Sequence, residues 1–149
     1  MSAKETILGN IDDAVLNFTV GKDIFLDKLL VDFDCISTAA HAQMLTKVPK
    51  KNPILTLEEY NLLLISLNKI IKLNSDKKFQ IRLSDQDVHM AIEKRITKEH
   101  GDLGKKIHTF RSRNDQIATD LRLYSKKELL KTLDISLKLI DALVFFGKK

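Results

Sequence analysis

A chain of 149 residues that is 44% hydrophobic and 30% charged has the length of one domain and enough apolar material for a core. Its net charge of +5, from 25 basic and 20 acidic residues, is dispersed over lysine pairs such as Lys50-Lys51, Lys77-Lys78 and Lys105-Lys106, and with no Trp and 2 Tyr the interleaved aromatic and basic stripe of a nucleic-acid binder is absent. The single Cys35 excludes an internal disulfide, no uncharged apolar run has the length of a bilayer span, and residues 1–9 lack the apolar core of a signal peptide, so a cytoplasmic protein without a membrane partner is expected.

Residues 1–21 are weakly periodic and end in Phe18-Thr19-Val20-Gly21, which reads as an extended arm or loop closed by a glycine turn. From about Asp23 the pattern turns helical, with Leu26, Leu29, Leu30, Phe33, Ile36, Ala40 and Met44 recurring at three- and four-residue steps through Leu45. Cys35 falls among these positions, where an inert buried thiol is expected. Pro49 and Pro53 interrupt the chain. Thr56 and Glu59 then form a capping box ahead of a second helix carrying Leu57, Tyr60, Leu63, Leu64, Leu67, Ile70 and Ile71, which stops at Asn74-Ser75-Asp76-Lys77. Phe79-Gln80-Ile81-Arg82-Leu83 alternates like a short extended segment. Ser84, with Asp87 at the N3 position, predicts the cap of a third helix that leads through Val88, Ile92 and Ile96 to a stop at Gly101.

The last helix opens at the most unusual stretch of the chain, His108-Thr109-Phe110-Arg111-Ser112-Arg113-Asn114-Asp115-Gln116. Ser112 or Asn114 can serve as N-cap, and Asp115 falls in the first turn, where a negative charge is favoured. The free N–H groups of a helix start, together with the planar forks of Arg111 and Arg113, suit a carboxylate or phosphate. A basic turn that is merely solvated fits the same residues. No Pro or Gly follows until Gly147, which allows roughly 50 Å of helix. Its second half, from Leu129 to Phe146, is apolar over more than one stripe, as in a helix at the centre of a bundle, and implies an oligomer or further chain. A helical interaction module using that face is a competing reading. No His stands at metal-ligand spacing from Cys, Asp or Glu, and there is no Gly-rich nucleotide loop, so neither metal nor cofactor is expected. His41, alone on its helix, reads as surface or satisfied core.

The 108–116 stretch, continued by Ala118-Thr119-Asp120-Leu121-Arg122-Leu123, resembles the HTxRSRNDQ signature of the argininosuccinate lyases of the fumarase/aspartase superfamily. Gln86-Asp87-Val88-His89 is similar to the family's E-D-I-H element, and Gly101-Asp102-Leu103-Gly104-Lys105-Lys106-Ile107-His108 to its GDxGKKxH approach. Asp27, Leu30, Asp34 and the run Ala39-Ala40-His41-Ala42-Gln43-Met44-Leu45 resemble its first helix, so the resemblance covers most of the chain from Phe18 onward.

What the resemblance implies is an all-α fold, with residues 1–108 as an N-terminal helical domain and 109–149 as the signature loop and the first long helix of a central helical bundle. The implied activity is the reversible elimination of argininosuccinate to fumarate and arginine, without a cofactor, in a homotetramer whose sites each draw on three subunits. Arg113 and Asn114 are implied as contacts to the substrate's carboxylates, with Arg111 and Thr109 shaping the loop. Asp87 and His89 are placed at the cleft and Asp27 near the guanidinium end, while His108 fixes the loop; read without the resemblance, Asp87 only caps its helix and His89 is an exposed polar residue. No catalytic residue is expected in this segment. The sequence departs from the pattern at Phe110, where the family usually has a small residue, often Gly, and in lacking a clear counterpart of a substrate-contacting serine near Asp27. Two further family signatures, one with a Thr-His pair and one a Gly-Ser-Ser loop bearing the catalytic serine, do not occur in the 149 residues. The expectation is therefore the N-terminal portion of a lyase, and the alternative is a non-catalytic protein of the same fold, like the delta crystallins.

Overall fold

The capping box read at Thr56 is formed: in the computed structural model, which describes residues 5–6, 9–10, 12–48 and 53–148, Glu59 N donates to Thr56 Oγ1 at 3.1 Å and Thr56 N to Glu59 Oε2 at 3.0 Å. It opens α4 (Leu57–Ser75), which buries Leu63, Leu67 and Ile70 against α3 (Val31–Lys47). From α3 the core takes Val31, Cys35, Ala42 and Leu45, and from α5 (Val88–His100) Val88, Ile92 and Ile96. Asn74 at the end of α4 donates to Asp32 of α3 at 2.9 Å, and Lys106 reaches the capping residue Glu59. The fold is all-α apart from a two-residue antiparallel ladder between β1 (Glu5–Thr6) and β2 (Gly9–Asn10). Among the described residues no helix is long and apolar enough to cross a membrane. Pro49 and the Lys50-Lys51 pair lie outside the described residues.

Four local readings need correction. The segment before Gly21 is not all extended: Asp12 caps α1 (Asp13–Val20) by accepting from Ala14 N at 2.7 Å, and Leu16 and Val20 are buried. The single helix expected from Asp23 to Leu45 is broken into α2 (Asp23–Leu26), a 3₁₀ turn (Asp27–Leu29) and α3. Asp27 accepts the Val88 N–H at 2.9 Å, and the tight turn offsets the helical phase, leaving Leu26 and Leu29 exposed while Leu30 and Val31 go into the core. Phe79-Gln80-Ile81-Arg82 is extended and alternates in burial as expected, Phe79 and Ile81 inward, but Leu83, read as its last residue, already belongs to a 3₁₀ turn, and among the described residues the segment pairs with no strand. The third helix begins three residues later than Ser84 suggests. Asp87 is itself the N-cap, accepting Met90 N at 2.7 Å, and Ser84 lies in a 3₁₀ turn (Leu83–Asp85), where Lys94 grips its carbonyl at 2.6 Å.

The short α6 (Leu103–Lys106) packs back on α5 through Gly104. A Cβ there would stand 2.1 Å from Thr97 Oγ1 and 2.5 Å from the Thr97 backbone nitrogen, so side chain and backbone would both have to move. Gly104→Ala is expected to destabilise the fold by about 1–3 kcal/mol, the usual cost of overpacking. An unchanged midpoint in urea unfolding would contradict that close approach.

The final helix, α7 (Arg113–Gly147), has 35 residues. Its first turns lie on α3, with Gln116 and Asp120 buried and Tyr124 edge-on to Phe33 at 5.9 Å between ring centres. Beyond Glu128 every described side chain is exposed.

Candidate functional site

Ser112, not Asn114, caps α7: its Oγ accepts Asp115 N at 3.3 Å, and Asp115 Oδ2 accepts Ser112 N at 3.0 Å. Arg113 and Asn114 therefore occupy the first turn, where free backbone N–H groups and the positive end of the helix dipole coincide. Arg113 Nη1 donates to Asp87 Oδ2 at 2.5 Å while Asp87 Oδ1 caps α5, so one carboxylate joins two helix starts. Asp27, from the turn before α3, binds the same end of α5 through Val88 N. Burial raises the Asp27 carboxyl above its ordinary value against the lowering effect of that N–H. The cleft so formed is lined by Asp23, Asp27, Asp87, His89, Arg113 and Asn114. Asp23 was not singled out from sequence, although it stands one helical turn before Asp27 and so on the same side of the chain.

Arg111 and Thr109 lie outside this cleft. Arg111 points inward, Nη2 donating to Thr38 Oγ1 at 2.8 Å, and burial lowers its pKa from the ordinary value. Thr109 gives its carbonyl to His41 Nε2 at 2.8 Å, and because a carbonyl can only accept, the His41 ring carries its proton on Nε2. His108 Nδ1 sits 3.1 Å from Gln116 Oε1 and must donate to it. These contacts fix the loop from both sides, as expected of His108.

Between them Phe110 adopts φ 66°, the left-handed region that is strained for a bulky residue, and its ring is 67% exposed rather than turned into the cleft. A glycine would adopt this φ without that strain. Phe110→Gly is expected to stabilise the protein by up to about 1 kcal/mol, the relief of left-handed strain exceeding the added freedom of the unfolded chain. A lower melting temperature in the variant would contradict this.

Behind the cleft lies a polar layer that sequence spacing did not reveal. Asp34 and Thr38 of α3, His89 of α5, and Gln116 and Asp120 of α7 are all buried. Ser37 Oγ donates to Asp120 Oδ1 at 2.7 Å and Thr38 Oγ1 to Asp34 Oδ1 at 3.3 Å. His89 Nδ1 stands 3.2 Å from Asp34 Oδ1 and 3.9 Å from Asp120 Oδ2. The signal available in sequence was the i, i+3, i+4 set Asp34, Ser37, Thr38 and the i, i+4 pair Gln116, Asp120, polar residues sharing a helix face with core positions. Asp34, His89 and Asp120 bring a ligand atom each to within 4.8 Å of one another, a gathering the spacing argument against a metal did not foresee. The Arg111 guanidinium, whose charge acts on both carboxylates, already supplies positive charge there and opposes a divalent ion.

Burial, reinforced by the charge of Asp34, raises the Asp120 carboxyl from 3.8 to about 6. A carboxyl with a higher pKa in the folded than in the unfolded protein holds its proton more tightly in the fold, so its contribution is fully present below 3.8 and is lost as the pH rises through about 6. Relative to the parent, Asp120→Asn is expected to gain melting temperature progressively across that interval, because the amide has no charge to acquire. A parent–variant difference that is constant with pH would contradict the shift.

A protein-family model described as lyase matches residues 20–145. The chain is 41% identical over 133 residues to the argininosuccinate lyase of Thermotoga neapolitana, covering 89% of this chain and 32% of that protein. It is 37% identical over 134 residues to that of Parabacteroides distasonis, covering 90% and 29%, and 43% identical over 122 residues to that of Prochlorococcus marinus, covering 82% and 25%. The chain thus spans about a quarter to a third of the length of these curated relatives. With a family match from the end of α1 through nearly the whole of α7, the chain belongs to the lyase family.

Proposed function

We propose that this chain supplies one face of the active site of an argininosuccinate lyase, which eliminates fumarate from argininosuccinate and leaves arginine. The observation that carries the reading is the convergence of Asp27, Asp87, His89, Arg113 and Asn114 on one cleft at the N-termini of α5 and α7. The reaction needs a base to remove a proton beside a carboxylate and donors aimed at the dianion that forms. Arg113, Asn114 and the first N–H groups of α7 are donors of that kind, while Asp27 and Asp23 present negative charge suited to the guanidinium end. Asp87 orients Arg113, and Arg111 with Thr109 holds the loop. The proton-transfer groups come from the signature stretches not present in these residues, contributed by other subunits of a cytoplasmic homotetramer. Residues 1–108 then form the N-terminal helical domain, and residues from 109 onward begin the central bundle. The ligand is a small molecule, with no nucleic-acid or membrane partner.

A chimera tests this: residues 20–145 replace the matching segment of the Thermotoga neapolitana lyase. Fumarate release from argininosuccinate, followed by absorbance, is the expected result. A folded tetrameric chimera with no turnover above a blank preparation would overturn the proposal.

A further inference from the structure

His89 stands between two spaces, the cleft with Asp27, Asp87 and Arg113 on one side and a cavity lined by Asp34, Thr38, His108 and Gln116 on the other. Its ring is 7% exposed, and Nδ1 faces the carboxylates of Asp34 and Asp120, which are 1% and 0% exposed. A bare Nδ1 lone pair against two carboxylates would be repulsive, so this nitrogen carries a proton. Nε2 takes no part in these two contacts, and the His89 ring forms part of the cleft wall. Asp34 Oδ2, Asp120 Oδ2 and His89 Nδ1 are all buried without a hydrogen-bond partner, so what joins ring and carboxylates is charge at 3.2 and 3.9 Å, and the carboxylates demand matching positive charge. The Arg111 guanidinium answers one carboxylate, and once Asp120 ionises, above about 6, a second cation is needed for the other.

We infer that Asp34 and Asp120 are positioning residues for His89, holding Nδ1 and keeping the ring doubly protonated, so that Nε2–H faces the cleft as a charged donor to an anionic group. The titratable and charged groups around the ring are Asp34 from α3, Asp120 and Arg113 from α7, Asp23 from α2, Asp27 from the turn before α3, His108 and Arg111 from the signature loop, Glu93 from α5 and Asp87 from its cap. Burial disfavours the charged ring, but the pairing with Asp34 and the charges of Asp87 and Asp120 outweigh it and raise the His89 pKa above its ordinary 6.5. The proton is a property of the cluster, shared among coupled groups, and the imidazole is where the geometry makes both carboxylate contacts favourable. That the anionic group belongs to argininosuccinate rests on the proposed function; the protonation of His89 does not.

The test is the pH dependence of hydrogen–deuterium exchange at the histidine ring C2, read by mass spectrometry on the 149-residue chain, which reports each histidine's titration in any oligomeric state. His89 is expected to titrate above 6.5 in the parent, and in Asp34→Asn at least about one unit lower than in the parent, a tenfold loss of proton affinity. Ser37→Ala, which removes a hydrogen bond to Asp120 but keeps both carboxylates, is expected to leave the titration raised. If circular dichroism shows that Asp34→Asn does not fold, Asp120→Asn is read in the same way. A parent His89 titrating at or below its ordinary value, or one unmoved in the folded carboxylate variant, would overturn the inference. A raised, Asp34-dependent titration beside an inactive chimera would sink the lyase reading and leave the proton assignment standing.

Discussion

The 149-residue chain on its own is expected to release no fumarate from argininosuccinate and to self-associate in solution. The activity half follows from composition. The cleft offers donors and carboxylates, but the stretches that would bring a catalytic serine and a Thr-His pair are not among these residues, and absent groups cannot be replaced by good positioning of those present. The association half follows from α7. Leu129, Leu133, Leu137, Ile140, Val144 and Phe145 are 50–69% exposed along its second half, and Phe146 is 78% exposed. A helix with this much apolar surface exceeds the few hundred Å² that monomers usually leave in water. Light scattering combined with a fumarate-absorbance assay reads both halves. A stable monomer, or turnover that survives removal of host lyase, would contradict the expectation.

In the active chimera, Arg113→Ala is expected to lower turnover by at least about a hundredfold, the usual consequence of removing one donor to developing charge. Arg113 is also the partner of Asp87 Oδ2, and its loss leaves that carboxylate oxygen unpaired at the α5 start. Two companion variants separate binding from architecture. Asn114→Ala leaves the Arg113–Asp87 pair and the Ser112 cap intact, so a comparable loss there would report substrate contact. Arg113→Lys keeps the charge but not the planar fork and should recover only part of the activity. Near-normal turnover in both alanine variants would remove the signature from the active site.

The Thr56–Glu59 capping box and the long final helix were legible because they rest on residues a few positions apart, whereas the choice of Ser112 over Asn114 as the cap of α7, and its box with Asp115, was left open. The break at Asp27–Leu29 was not, because the apolar steps through Leu26 and Leu29 are helical in phase and only the long-range bond from Val88 to Asp27 shows why the helix tightens there. The cap of α5 was misplaced for a related reason. Ser84 and Asp87 are both good capping residues, and the choice is made by Lys94 holding the Ser84 carbonyl and Asp87 tying α5 to Arg113. At the site, resemblance to the lyases brought forward Asp27, Asp87, His89, Arg113 and Asn114, which share one cleft, and Arg111 and Thr109, which face away from it. Asp34 and Asp120, quoted only as part of the resemblance, were given no role at the site because their partner, His89, stands on a different helix, and only packing joins the three.

The most direct measurement is a crystal structure of the chimera, its catalytic serine replaced by alanine, with argininosuccinate bound. The prediction is a substrate carboxylate within hydrogen-bond distance of Arg113 and Asn114, with the guanidinium end toward Asp27. Substrate held elsewhere, with this cleft filled only by solvent, would contradict it.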